Sequence, residues 1–362
     1  MKAGIITFQS AYNYGAVFQA FALQEFLTEN YAKTIIIDYH NEEIDKSYKT
    51  PRIMDFFCNT KNSIFKYMQA FLYKGKHRKI DEFRNNYLHL SKYYNIDNIT
   101  DAINEADVFI TGSDQVWNHL IIKGDSTYFL NFALSKKTCS YAASFGISEI
   151  PNAYIQFYRN NLKNIMMLSV REYAGAELVQ KMVGRNVEVL PDPTLLIDSN
   201  RWKKLSIAPR RTGKYILVYK ITKADKLLNF ARKLAQDTGL PIIYVPNDLK
   251  SGVIGSLKTN VGPEEWLGYI NCAEYVVTNS FHGTVFSILF GKKFFSEVST
   301  KVNPSTSRLM SLLEMFNLED RIIENYSYEI LKKELDLEMI NEKQFHQKEK
   351  ANIFLRKVFT EE

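Results

Sequence analysis

Short apolar runs alternate with helix-length amphipathic stretches along most of the chain. Gly4-Ile5-Ile6-Thr7-Phe8 is the first strand-like run; a polar loop from Gln9 to Tyr14 follows, and an amphipathic helix is predicted from Gly15 to about Glu29. Ile35 to Asp38, Val108 to Thr111, Thr138 to Ala143, Leu168 to Arg171 and Val187 to Leu190 continue the series, with a helix at Glu172 to Met182 between the last two. Such apolar strands are buried on both faces, and their alternation with helices predicts a parallel sheet. Pro191-Asp192-Pro193 breaks regular structure, and a polar segment carrying Pro209, Arg210 and Arg211 runs on to Gly213, so the domain junction is placed there. The pattern then restarts with strands at Tyr215 to Tyr219, Ile242 to Val245, Tyr275 to Val277 and Lys293 to Phe295. Helices are expected between them at Ala224 to Asp237, near Pro263 to Asn271, and at Gly283 to Phe290.

The expected fold class is therefore α/β, with two Rossmann-like domains at 1–195 and 196–327. A charged, strongly helical segment at 328–362 should end the fold, packing along its outside or crossing back onto the first domain. Between the second and third strands, 51–94 reads as a helical insertion. Its aromatic stretch, Phe56 to Tyr73, runs into Lys74, Lys76, His77, Arg78 and Lys79. A helix of this kind suits either the N-terminal sheet or, through residues 56–79, peripheral contact with an anionic bilayer.

At 362 residues the chain exceeds the size at which a single core stops growing, in keeping with two domains. A composition of 46% hydrophobic and 24% charged residues argues against extensive disorder. The 24 Phe and 22 Tyr fill cores first, although such rings also stack on sugars. A net charge of +6, from 46 basic and 40 acidic residues, fits small acidic molecules or an anionic surface rather than nucleic acid. Cys58, Cys139 and Cys272 are far apart and form no CxxC, which fits a reducing compartment and argues against a zinc site. The start of the chain lacks the pattern of a signal peptide, and no apolar run reaches the ~18 residues of a membrane span. The expected location is cytoplasmic, with peripheral association at the inner face of the membrane left open by 56–79.

Candidate chemistry gathers where strands end. Thr278-Asn279-Ser280-Phe281-His282-Gly283-Thr284 places a histidine at a strand-to-helix turn, where open α/β sheets take ligands and where a helix N-terminus favours an anion. Ser280 capping the helix and His282 bracing the fold is the plainer reading of the same residues. Gly112-Ser113-Asp114-Gln115-Val116-Trp117-Asn118 holds a carboxylate, two amides, a hydroxyl and an indole, a set suited to sugar hydroxyls and a pyranose face. It equally reads as an Asx-rich turn with Trp117 buried. Asn13-Tyr14-Gly15 is a second candidate loop or a tight helix entry. Arg171 ends a strand on the same sheet edge, where its fork can grip a phosphate or carboxylate, or form an interdomain salt bridge to Asp192. Lys220, Lys301 and Arg308 are further cations. No GxGxxG, Walker loop, HExxH, GxSxG or metal cluster is present, so anion binding must rest on side chains and helix ends.

Six segments in order resemble the polysaccharide pyruvyl transferase family: Asn13 to Ala20, Gly112 to Asn118, Ser140 to Gly146, Ser169 to Glu172, Pro191 to Thr194 and Thr278 to Thr284, together covering roughly residues 1 to 325. The resemblance implies two Rossmann-like domains facing across a cleft, as in GT-B glycosyltransferases. It also implies transfer of the carbon skeleton of phosphoenolpyruvate onto two hydroxyls of one sugar, giving a cyclic pyruvate ketal and phosphate. By resemblance, Arg171 and His282 match the family's donor-binding arginine and active-site histidine, and Lys301 or Arg308 a basic residue beyond that helix. The donor side is then expected to comprise Arg171, Asn279, Ser280, His282, Gly283, Lys220, Lys301 and Arg308. The acceptor, a free glycan or lipid-linked oligosaccharide, is expected at Asn13, Tyr14, Asp114, Gln115, Trp117 and Asn118. Phosphoenolpyruvate would be a co-substrate, with neither metal nor cofactor. A nucleotide-sugar glycosyltransferase of the same architecture and a non-catalytic glycan-binding protein are the alternatives.

Overall fold

The computed structural model describes the chain except for residues 49–59, 211–212, 223–224, 248–251, 299–303 and 361–362. The first sheet contains β1 (Lys2–Ile6), β2 (Lys33–Tyr39), β3 (Leu90–Tyr94), β4 (Val108–Thr111) and β5 (Lys137–Ser140), all parallel, in the order β3-β2-β1-β4-β5. A short parallel pair, β6 (Ser169–Val170) and β7 (Glu188–Val189), attaches to it through the bridges Cys139–Met167 and Ala143–Val170. The second sheet contains β8 (Ile216–Lys220), β9 (Ile242–Pro246), β10 (Ser256–Leu257), β11 (Tyr275–Thr278) and β12 (Lys293–Ser296), again all parallel, in the order β10-β9-β8-β11-β12. In each sheet the winding reverses between its first and fourth strands in chain order, β1 and β4 or β8 and β11. The crevice beyond the carboxyl ends of those strands is where a doubly wound sheet takes its ligand.

Two edge strands depart from the expected elements. Leu90–Tyr94, placed within the helical insertion by its polar pattern, is the edge strand β3, and its Tyr93 is 56% exposed. An edge strand is buried on fewer sides than a central one, so it lacks the continuous apolar run that marks β1 or β8. β10 is two residues long and went unrecognised for the same reason.

The helix Tyr14–Asn30 is not amphipathic as expected: from Tyr14 to Leu27 every residue but Glu25 is buried, Gln19 and Gln24 included. Its inner face packs on the first sheet, while other helices cover its outer face. Phe18 meets Phe83 at 5.6 Å, Trp202 at 5.6 Å, Trp266 at 5.7 Å and Phe286 at 5.2 Å between ring centroids. Tyr14 stacks on Trp266 at 5.2 Å, and its hydroxyl donates to the Val261 carbonyl at 2.7 Å. This aromatic seam joins the two halves in one core. Each buried ring contributes roughly 1.5–3 kcal/mol through removal from water, and each favourable ring pair about 0.5–1.5 kcal/mol more.

The helix Thr60–Tyr87 closes the seam from outside. Tyr73, Ile80 and Phe83 are buried, and Lys76 is only 2% exposed. Lys76 Nζ lies 4.6 Å from the centre of the Tyr14 ring and donates to Asn247 Oδ1 at 3.1 Å, while Lys79 Nζ pairs with Glu265 at 2.7 Å. Two of the lysines expected at a bilayer are thus engaged by the second half of the chain. Phe71 is exposed, and Phe56 and Phe57 lie outside the described residues. Among the described residues no helix is long and apolar enough to cross a membrane.

The C-terminal segment divides into the helices Tyr328–Lys332 and Leu337–Thr360. The longer one crosses back to the first half: the Tyr31 hydroxyl donates to Asn352 Oδ1 at 2.9 Å, Tyr31 stacks on Phe359 at 5.1 Å, and Gln344 donates to the Leu195 carbonyl at 2.9 Å.

Candidate functional site

The two switch points face one another across a cleft of about 400 Å³. Phe8, Ala11 and Asn13 reach it from the loop after β1, Asp114 and Gln115 from the loop after β4, Ile221 from the loop after β8, and Asn279 to His282 from the end of β11. The last of these loops is tied down by its own polar side chains. Thr278 Oγ1 donates to the Tyr219 carbonyl at 2.7 Å and accepts from Ser280 N at 3.0 Å; Asn279 Oδ1 accepts from Ile221 N at 2.9 Å. Ser280 then caps the helix Phe281–Leu289 by accepting from Gly283 N at 3.2 Å. His282 therefore lies in the first helical turn, slightly earlier than the expected start at Gly283; Ser280 is the cap, and the histidine lines the cleft.

Two elements close on the imidazole from opposite sides. Gly15 abuts the ring so closely that a Cβ there would stand 2.0 Å from Nδ1. Asn13 caps the helix Tyr14–Asn30 by accepting from Gly15 N at 2.8 Å, which fixes that approach. On the other side, His282 Nε2 is 3.5 Å from Asp192 Oδ2. The same oxygen accepts from Arg171 Nη1 at 2.7 Å and from Ser113 Oγ at 3.0 Å, while Asp192 Oδ1 accepts from Thr194 N and Oγ1 at 3.1 and 2.7 Å. Burial alone would raise the Asp192 carboxyl, but His282, Arg171 and Thr194 hold it well below the usual carboxylate range.

Arg171 is equally enclosed. Its fork lies within 3.8 Å of Asp114 and 3.9 Å of Glu172 and over the Phe281 ring at 4.7 Å. Burial would lower its pKa, yet Asp192, Asp114 and Glu172 outweigh that and raise it. Arg308 lines the cleft from the helix Pro304–Phe316. It is 8% exposed, and its Nε has no hydrogen-bond partner among the described residues. Burial and then the neighbouring Arg171 lower it to about 10, so it remains a cation at neutral pH. Arg308 and Phe281 also line a second cavity of about 210 Å³, which Arg171 and Asp192 reach and Lys350 flanks. Two guanidiniums and an imidazole beside a helix N-terminus can hold a small dianion and move a proton next to it. No group of three or more His, Cys, Asp or Glu side chains that could hold a metal ion occurs among the described residues.

Several expected contacts fall elsewhere. Trp117 is fully buried: it stacks on Phe129 at 5.5 Å, its Nε1 donates to the Tyr128 carbonyl, and it presents no face to a sugar. The turn that sends it inward passes through Asp114, which sits at a φ of 79°, a strained conformation for a residue with a side chain. Asn118 caps the short helix His119–Ile122 and donates to Gln115 Oε1, bracing a cleft residue without lining the cleft. Tyr14 belongs to the seam. Lys220 is fully buried at the end of β8, and its successor Ile221 faces the cleft instead. Lys301 lies outside the described residues, whereas Arg308 is in the cleft. Of the remaining donor-side residues, Asn279 and Ser280 line the cleft, and Gly283 serves the cap.

Some site residues went unrecognised. The sequence places Gly15 in a candidate loop or tight helix entry, gives Phe281 no separate role, and offers Asp192 as a partner for Arg171 and part of a family segment, without the approach of Gly15 or Asp192 to His282. Phe8, Glu43, Ile44 and Lys123 also line the cleft, and a sequence that does not say which loops meet gave no sign of them.

A family model for polysaccharide pyruvyl transferases matches residues 13–296, which contains the loops after β4, β8 and β11, with Arg171, Asp192 and His282. No curated protein matches the chain significantly. Among solved structures, the UDP-N-acetylglucosamine 2-epimerase of Methanocaldococcus jannaschii, in complex with UDP-GlcNAc and UDP, is 13% identical with a TM-score of 0.51, over 98% of this chain and 99% of that one. A Listeria monocytogenes protein assigned provisionally as the same kind of epimerase is 10% identical with a TM-score of 0.50, over 100% and 97%. At such identities the likeness establishes the fold alone, a two-domain GT-B-like α/β architecture with C-terminal helices. Extending over most of the chain and both walls of the cleft, the family match shows that this protein belongs to the polysaccharide pyruvyl transferase family.

Proposed function

We propose that the protein is a ketal-forming pyruvyltransferase that takes phosphoenolpyruvate as donor and a sugar of a cell-surface or exopolysaccharide precursor, free or lipid-linked, as acceptor. The observation that carries this reading is the meeting of His282 with Arg308 at the switch-point crevice, with Arg171 behind it, joined to His282 through Asp192 and reaching the adjoining cavity, in a chain of the pyruvyl transferase family. The guanidiniums of Arg171 and Arg308 hold the donor's carboxylate and phosphate. His282 donates a proton to the methylene carbon, a sugar hydroxyl attacks the cationic C2, and the proton of that hydroxyl returns to the imidazole. The C2–O bond to phosphate then breaks, phosphate leaves, and a second hydroxyl of the same sugar closes the ring, its proton passing to phosphate or solvent. Arg171 and Arg308 balance the charge on the departing phosphate. Asp114, Gln115 and Asn13 face the acceptor.

Thermal-shift measurement followed by a phosphate-release assay tests this reading. Phosphoenolpyruvate should raise the melting temperature, and with an acceptor glycan phosphate should be released with formation of a ketal. Stabilisation by UDP but not by phosphoenolpyruvate would overturn the reading in favour of a nucleotide-sugar enzyme.

A further inference from the structure

We propose that Asp192 is a positioning residue that decides which nitrogen of His282 carries the exchanging proton, and that it does so from the opposite half of the molecule. The inference builds on the reading of His282 as the proton carrier. Asp192 follows β7 in the first half and His282 follows β11 in the second, so their approach exists only because the two halves are packed together.

Every other direction around the carboxylate is already used. Thr194 holds Oδ1, while Ser113 and Arg171 hold Oδ2, so the carboxylate is fixed in orientation and its remaining neighbour is the His282 ring. On the ring, Nε2 is the buried nitrogen; it makes no hydrogen bond among the described residues, and Asp192 Oδ2 stands 3.5 Å from it. A hydrogen on Nε2 meets a fixed anion; a lone pair there would face the same anion and be repelled. The neutral ring is therefore held as the Nε2–H tautomer, and Nδ1 is the nitrogen that gives and takes the reacting proton. A carboxylate that orients a general base acts in the same way in other enzyme folds. The further groups that set the charge around the ring are Arg171 beside Asp192, Arg308 from the helix Pro304–Phe316, and Asp114, Glu43 and Lys123 in the same cleft; the first turn of the helix Tyr14–Asn30 carries no acidic residue.

Nitrogen-15 NMR of the full chain labelled at histidine reads the tautomer without any substrate, so its outcome is independent of the transferase assignment. The signal of His282 is identified by its loss in His282→Gln. In the wild-type protein the neutral ring should be protonated on Nε2. In Asp192→Asn it should shift toward the Nδ1–H form, because the anion that favours a hydrogen on Nε2 is gone. With donor and acceptor, kcat of Asp192→Asn should fall by about 10²–10⁴-fold. The same tautomer in both proteins would overturn the proposal and leave Asp192 as an anchor for Arg171 alone. Should Asp192→Asn fail to fold by circular dichroism, the wild-type spectrum decides: a neutral ring protonated on Nδ1 overturns the proposal.

Discussion

Residues 14 and 15 are neighbours in sequence and belong to different regions of the molecule. Tyr14 opens the aromatic seam, in which its ring meets Trp266 and Phe18 meets four other rings. Gly15 opens the polar site, where His282, Asp192 and Arg171 are set by directional contacts of defined length. The seam spreads its stabilisation over many rings and tolerates small displacements. In the site, one group out of place disables the set. The first region fixes how the halves meet, and that placement brings a carboxylate from one half to a histidine from the other.

The comparison predicts that stability and activity separate. His282→Ala should have the largest effect on turnover, a fall of about 10²–10⁴-fold, with circular dichroism and melting temperature nearly unchanged. Gly15→Ala follows: the added Cβ must displace the imidazole, so turnover should drop by about 10²-fold. Forcing the buried ring aside should also cost about 1–3 kcal/mol in denaturant unfolding, a smaller effect than that on turnover. Normal turnover in this variant would mean that the ring position is not critical.

Changes in the seam should do the reverse. Trp266→Ala removes a fully buried ring and should cost about 3–5 kcal/mol in denaturant unfolding, while turnover per folded molecule stays close to wild type. Lys76 adds a pH dependence to the same region. Burial lowers its pKa from the ordinary 10.5 to about 7. Between those values the unfolded chain binds a proton that the folded chain does not, so folding stability rises with pH across that window and the burial cost is fully present below pH 7. Lys76→Met should therefore gain most over wild type near pH 6, with the difference narrowing towards pH 10; a difference independent of pH would contradict a buried, depressed lysine. The smallest effects are expected in the loop after β4. Gln115→Ala should raise KM for the acceptor several-fold, roughly the worth of one hydrogen bond, whereas Trp117→Phe should lower the melting temperature and leave that KM unchanged.

The central strands of both sheets were legible because parallel strands buried on two faces form continuous apolar runs. β3 was not, because an edge strand such as Leu90–Tyr94 carries Ser, Lys and two tyrosines. The course of Tyr14–Asn30 was legible and its surroundings were not: its burial on all sides depends on Phe83, Trp202 and Trp266, which the fold brings in from distant segments. The same limit applies within the site. Thr278 to Thr284 could be placed at a strand end from local pattern, because its caps and ties are local. The inward turn of Trp117 depends on a single positive φ at Asp114, and the approach of Asp192 to His282 depends on the packing of two halves.

The most direct test of the account is mass spectrometry of the surface glycan from cells carrying the wild-type gene, the His282→Ala variant, or no copy. A pyruvyl ketal on one sugar is predicted with wild type alone, absent from both other strains. The same ketal in cells without the gene, or undiminished in cells with His282→Ala, would contradict it.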